Sequence, residues 1–214
     1  MVARDTPGPD GCLALAQYRA RARVYDLELA LFEPLRRLAL ERLAPQRGEA
    51  VIDVACGTGL SLAALATAVG PRGRVIGIEQ SPEMIALARV RVAAAHLRPV
   101  ELVEASMERA RFDGRADAAL CHFTHDVLQR ADAVANLLDH LRPGARIVCT
   151  GLVWAPRWAP AVNAAVLLGA LRSTTTLSGL ARPWALLEAR IGPMASERYL
   201  LGGVYLAHGR VPRH

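Results

Sequence analysis

Val51-Ile-Asp-Val-Ala-Cys-Gly-Thr-Gly-Leu60 decides the fold. Ala50 to Ala55 reads as a short buried strand, apolar except for one acid, Asp53. The strand runs into a glycine turn, where Gly57 and Gly59 permit positive φ and the close approach of a ligand. Leu60 to Val69 then reads as a helix ended by Gly70-Pro71. Unpaired N–H groups at the start of such a helix attract an acceptor or anionic group.

Downstream of this turn the pattern alternates. Arg74 to Glu79 is a second strand. Ser81 suits an N-cap, Pro82 the first helical position and Glu83 the positive end of the helix, which runs to about His96. Val100 to Glu104 and Ala116 to Phe123 are further strands. Ala131 to Leu141 is helical and stops at Pro143-Gly144, and Ala145 to Thr150 is a fifth strand. Such alternation predicts a mainly parallel sheet covered on both faces. Ligands of these sheets bind beyond the carboxyl ends of the strands.

The flanks differ. Leu13 to Leu43 reads as helix broken near Pro34, with Tyr18, Val24, Leu27, Leu31, Leu35 and Leu38 at helical spacing. Leu152 to Leu180 is apolar and punctuated by Trp and Pro. Pro183 to Ile191 is helical, and Glu197 to Leu201 and Val204 to His208 form a tight hairpin about Gly202-Gly203. The expected organisation is a flexible start over 1–12 and one domain over 13–214. Residues 13–48 would form a helical cap, and 152–191 a helical cover on the substrate side.

Composition narrows the chemistry. The 26 basic residues are all arginine, which excludes lysine nucleophiles, Schiff bases and Walker-type phosphate lysines. The net charge of +6 suits anionic partners, or reflects only an arginine-rich composition. Cys12, Cys56, Cys121 and Cys149 form no CxxC pair and fit no zinc spacing, so no metal site is expected. A reducing, cytoplasmic setting follows. The first eleven residues lack a signal-peptide pattern, and Val162 to Leu171 is apolar but too short to span a bilayer.

Two cofactor classes use a strand–glycine turn–helix unit. A dinucleotide site wants G-x-G-x-x-G, but Leu62 stands at the third glycine. Asp53 would repel a pyrophosphate, whereas the ammonium and sulfonium of S-adenosylmethionine welcome an acid. Asp53-Val-Ala-Cys-Gly-Thr-Gly59 resembles the first motif of the class I S-adenosylmethionine-dependent methyltransferases. Val75-Ile-Gly-Ile-Glu79 with Gln80-Ser-Pro-Glu-Met-Ile-Ala-Leu-Ala88 is similar to the family's second strand and helix. Leu141-Arg-Pro-Gly-Ala-Arg-Ile-Val-Cys-Thr150 resembles its fifth-strand segment. Four ordered blocks over about Tyr25 to Thr150 are more specific than one glycine turn.

The resemblance, which extends to ubiquinone- and menaquinone-type small-molecule methyltransferases, implies a Rossmann-like α/β fold. Its sheet would be seven-stranded and mainly parallel, with helices on both faces and a C-terminal antiparallel hairpin. It implies S-adenosylmethionine as cofactor and S-adenosylhomocysteine as product. The cofactor would lie on Asp53, Ala55, Cys56, Gly57 and Gly59. Glu79 would grip the ribose hydroxyls beside Gln80, Met84 would pack on adenine, and Tyr25 would close over the site. Ser106 stands where many relatives place an adenine-side aspartate, next to Met107 and Glu108.

After the fourth strand, Cys121-His-Phe-Thr-His-Asp126 puts His122 and Phe123 at the methionine end of the cofactor. His122 or His125 would serve as a general base oriented by Asp126; alternatively His122 lines the site and His125 begins a helix. Methyl transfer needs no base when alignment and desolvation suffice. The expected partner is a small apolar or aromatic acceptor, with no nucleic acid. Trp154, Trp158, Trp184 and nearby arginines suit an acceptor lid, a membrane-facing surface or an ordinary helical cover. An RNA or protein methyltransferase and a non-catalytic cofactor-binding fold are the alternatives.

Overall fold

The structure, a computed structural model, describes residue 10 and residues 30–213. Tyr18, Tyr25, Cys12 and most of the expected flexible start and leading helix lie outside the described residues. Within them, a 3-10 turn (Ala30–Phe32) leads into α1 (Glu33–Leu43), with Pro34 in the first turn of the helix. Proline is tolerated there because its missing N–H would have had no partner. Within the described residues, the helical path thus changes from 3-10 to α next to Pro34.

The alternating segment folds as β1 (Ala50–Val54), α2 (Leu62–Val69), β2 (Arg74–Glu79), α3 (Pro82–Ala94), β3 (Val100–Glu104) and β4 (Ala116–His122). A single-turn α4 (His125–Leu128), α5 (Ala131–Asp139) and β5 (Leu141–Leu152) follow. The chain ends in α6 (Pro160–Ser173), α7 (Ala185–Ile191), β6 (Ala195–Tyr199) and β7 (Val204–Arg210). The seven strands lie in the order β3-β2-β1-β4-β5-β7-β6. The first five pair in parallel, while β7 runs antiparallel to both β5 and β6. The order reverses between β1 and β4, which leaves a crevice at their carboxyl ends.

Strand alternation assigns each side chain to a face. Ile52, Val54, Ile76, Ile78, Ala119 and Ile147 belong to one buried cluster, with Leu137 of α5 and Leu187 of α7. Val51, Val75, Ala118, Leu120 and Val148 belong to the other, with α1, α2 and α3. By the same alternation Asp53, Glu79, His122 and Thr150 fall on the α1–α2 face. Four polar residues far apart in sequence thus share one end of one face.

Three expectations change. Strand β5 begins at Leu141, because Leu141 pairs with Ala116 ahead of a register shift. Gly144 N–H then donates to Val211, and α5 correspondingly ends at Asp139. The β6–β7 connection is a 3-10 turn over Leu200–Gly202 rather than a two-residue hairpin. No described helix is long and apolar enough to cross a membrane.

Candidate active site at the carboxyl ends of the strands

The glycine turn bends sharply after β1. Ala55, Gly57 and Gly59 all have positive φ, at 49°, 57° and 83°. At Gly59 the torsion and the space agree: a Cβ there would lie 2.7 Å from Leu62 Cδ1 and 3.3 Å from Ala88 Cβ. Leu62, at the missing third glycine, is fully buried under this turn. Gly77 of β2 is equally constrained, since a Cβ would meet Leu102 Cδ2 at 2.8 Å and Cys56 Sγ at 3.1 Å. A glycine inside a strand signals such close approach.

Glu79, the last residue of β2, holds the turn in place. Its Oε2 accepts from the Gly57 N–H at 3.0 Å, and its Oε1 from the Ser81 N–H at 2.8 Å. Burial pushes its carboxyl above the ordinary value, partly offset by backbone N–H groups of Ser81, Gly57 and Gln80. Each carboxylate oxygen has more than one lone pair, so further donors can still be bound. Ser81 caps α3 by accepting from Met84 N–H at 3.3 Å.

Asp53 is buried beneath the turn, and its Oδ2 has no hydrogen-bond partner. Burial pushes its carboxyl up to about 7; Arg36 opposes this and Glu79 adds to it. Arg36 reaches over from α1, donating to the Leu60 carbonyl and pairing with Glu33. Nothing in the spacing of α1 singles out Arg36, since the contact spans two elements.

Two clefts open beside the turn. One is lined by Ala55, Gln80, Ser106, Met107 and Glu108. The other is lined by Gly57, Glu79, Met84, Phe123 and His125. Ala55, Gln80, Asp126 and Val127 border both. The structure therefore brings together eight expected cofactor residues: Ala55, Gly57, Glu79, Gln80, Met84, Ser106, Met107 and Phe123. Asp53, Cys56, Gly59 and His122 shape the floor without lining either cleft. Two facing carboxylates with no basic side chain among the turn residues do not suit a pyrophosphate; an unpartnered buried carboxylate oxygen suits a cation.

Residues 51–144 match the family profile described as Methyltransferase domain. A methyltransferase-type domain is thus matched over that central segment of the chain. The chain is 34% identical over 137 residues to the aklanonic acid methyltransferase DauC of Streptomyces sp. (strain C5), covering 61% of this chain and 60% of that protein. It is 31% identical over 124 residues to a demethylmenaquinone methyltransferase of Shouchella clausii, covering 53% and 49%. Among solved structures, the DhpI–SAH complex superposes with a TM-score of 0.64 at 20% identity, covering 94% of this chain and 96% of that one. The chain spans 32% to 60% of the length of the first curated relatives it matches.

The wall after β4 carries the two expected base candidates, His122 and His125, in buried settings. His122 Nδ1 lies 2.6 Å from Thr150 Oγ1, its register partner on β5. Burial, with Arg36 adding, lowers its pKa to about 3. His125 opens α4; its Nε2 lies 2.9 Å from the Ser178 carbonyl and so carries the proton, while Nδ1 is buried without a partner. Burial also lowers its pKa. Both imidazoles are therefore held toward the neutral form. Asp126 accepts from the Thr175 N–H at 2.9 Å and the Thr175 hydroxyl at 2.8 Å. Gln129 donates to the Pro183 carbonyl at 2.8 Å. Helix α4 is thus clamped to the loop after α6, by contacts that spacing in the sequence cannot show.

Proposed function

We propose that this domain binds S-adenosylmethionine in the two clefts and methylates a small apolar or aromatic acceptor. The observation that carries the reading is the carboxylate pair. Asp53 has a buried, unpartnered oxygen, and Glu79 anchors the glycine turn while bordering the cleft. When bound, the cofactor supplies an electrophilic methyl group on a positively charged sulfur. Gly57 and the turn would leave room for its amino-acid end, and its positive charge would draw the Asp53 carboxyl, raised to about 7 by burial, into the ionised form. Glu79 accepts from the ribose hydroxyls, and Met84, Ser106 and Met107 surround the base. In this reading His122, neutral and fixed by Thr150, orients the acceptor without removing its proton, and His125 holds the cover. Alignment and water exclusion then provide the acceleration.

The acceptor class rests on the relatives. Two are named for demethylmenaquinone and aklanonic acid, both small molecules. We read residues 152–191 as the cover over the acceptor, consistent with Ser173 at the edge of the second cleft.

Calorimetric titration with S-adenosylhomocysteine, with NAD as control, tests the reading. Saturable binding of the first alone supports it. Binding of NAD, or of neither, overturns it.

A further inference from the structure

Helix α6 is apolar on both sides. From Pro160 to Leu171 it contains no charged residue. Val166 and Ala170 point inward and are buried. The opposite side presents Ala161, Ala164, Leu168 and Leu171, with Leu168 60% and Leu171 55% exposed. A surface helix ordinarily carries polar groups on that side, and a helix apolar all round is ordinarily buried. Trp158, two residues before the helix, is 71% exposed.

The β6–β7 turn adjoins this helix. A Cβ on Gly203 would lie 2.7 Å from Val162 Cγ1, so the turn and helix pack without an intervening side chain. The turn exposes Leu200 and Leu201, both at positive φ. Leucine is disfavoured in that backbone region. Here two consecutive leucines adopt it without gaining burial, which points to a use outside the fold. Basic residues flank the apolar surface: Arg157 precedes Trp158, and Arg172 ends the exposed stripe. The chain as a whole carries a net charge of +6.

We propose that the outward side of α6, with Trp158 and the Leu200–Leu201 turn, docks on an anionic lipid bilayer. An apolar stripe bordered by arginines, with tryptophan at its edge, matches the acyl–headgroup boundary, and the short helix lies along that boundary instead of crossing it. The basic border selects anionic headgroups over a second copy of this equally basic chain. On the function proposed above, docking also brings the cleft bordered by Ser173, the last residue of α6, close to an acceptor dissolved in lipid.

The experiment sediments the full chain with phosphatidylcholine vesicles, with and without phosphatidylglycerol. Quenching of tryptophan fluorescence by brominated lipid, and its loss in Trp158→Phe, which retains half-buried Trp154 and buried Trp184, reports Trp158. Binding is expected to the anionic vesicles and to fall about tenfold in 0.5 M salt. The double substitution Leu168→Asp, Leu171→Asp should reduce it by about tenfold or more with an unchanged melting temperature, and Arg157→Glu by severalfold. Val90→Asp, at an exposed apolar site on α3, should leave it unchanged. Absence of vesicle binding overturns the proposal. So does a double variant that binds normally, that melts earlier because the chain itself covers this surface, or that turns a dimer into a monomer. Vesicle binding without S-adenosylhomocysteine binding would uphold docking and overturn the function.

Discussion

Two walls of the site are built in different ways. The turn after β1 is held by Glu79 at the end of the very next strand, which accepts from the Gly57 N–H and is itself steadied by the Ser81 N–H two residues further on. The wall after β4 is held by partners about fifty positions away: His125 on Ser178, Asp126 on Thr175, Gln129 on Pro183. The first wall is one strand–helix–strand unit, closed by hydrogen bonds that glycine torsions make possible. The second exists only once the segment after β5 has folded back. The first should therefore tolerate least, and the second should loosen without abolishing the fold.

The largest effect is expected at the turn. In Gly57→Val a β-branched side chain must adopt the positive φ of 57°. Binding of S-adenosylhomocysteine should be lost while circular dichroism still shows a folded domain. Retained affinity would separate the turn from the cofactor. Asp53 sharpens the same comparison through pH. Its carboxyl titrates near 7 in the folded protein against an ordinary 3.8, so folding favours the protonated form. That stability is complete below about pH 4 and is lost as pH rises through 7. Asp53→Asn should melt higher than the parent at pH 8, by an amount on the order of a few kcal/mol, and near it at pH 4. The same substitution should weaken cofactor binding. Parallel melting curves for the two proteins across that range would show that Asp53 is not held protonated.

Glu79 comes next. Glu79→Gln removes the charge and turns one acceptor into a donor facing a backbone N–H. Affinity for S-adenosylhomocysteine should fall by about 1–3 kcal/mol, measured by calorimetry. No change would place the ribose elsewhere.

These differences explain what was legible in the sequence. The β1 turn, the Ser81 cap and the alternation of strands and helices follow from short-range chemistry, in which glycine, serine and apolar periodicity act on their own neighbours. Gly77 left a signal, a glycine within a strand, whose meaning needed Cys56 and Leu102 across the sheet. Arg36 left none, because its tie to the Leu60 carbonyl joins α1 to the glycine turn. The histidines were visible as residues but not as chemistry. The ordinary pKa of an imidazole applies in water, and burial beside Arg36 takes His122 far below it. Thr150, which fixes that ring, is 28 residues away and is recognised only through strand register.

The smallest effect is expected at the second wall. Gly179 has a φ of +77°, and a Cβ there would lie 1.9 Å from Gln129 Oε1. Gly179→Ala therefore strains the backbone and pushes Gln129 off the Pro183 carbonyl. Gln129 is a flexible side chain that can swing aside, so the cost should stay near about 1–2 kcal/mol of stability, read from chemical denaturation. Because the clamp borders the clefts through Asp126 and Val127, the same variant should exchange amide hydrogens faster in residues 174–183 while the turn after β1 keeps its protection. Equal acceleration in both segments would mean that the two walls open as one unit, and the contrast between a locally built wall and a distantly built one would fail.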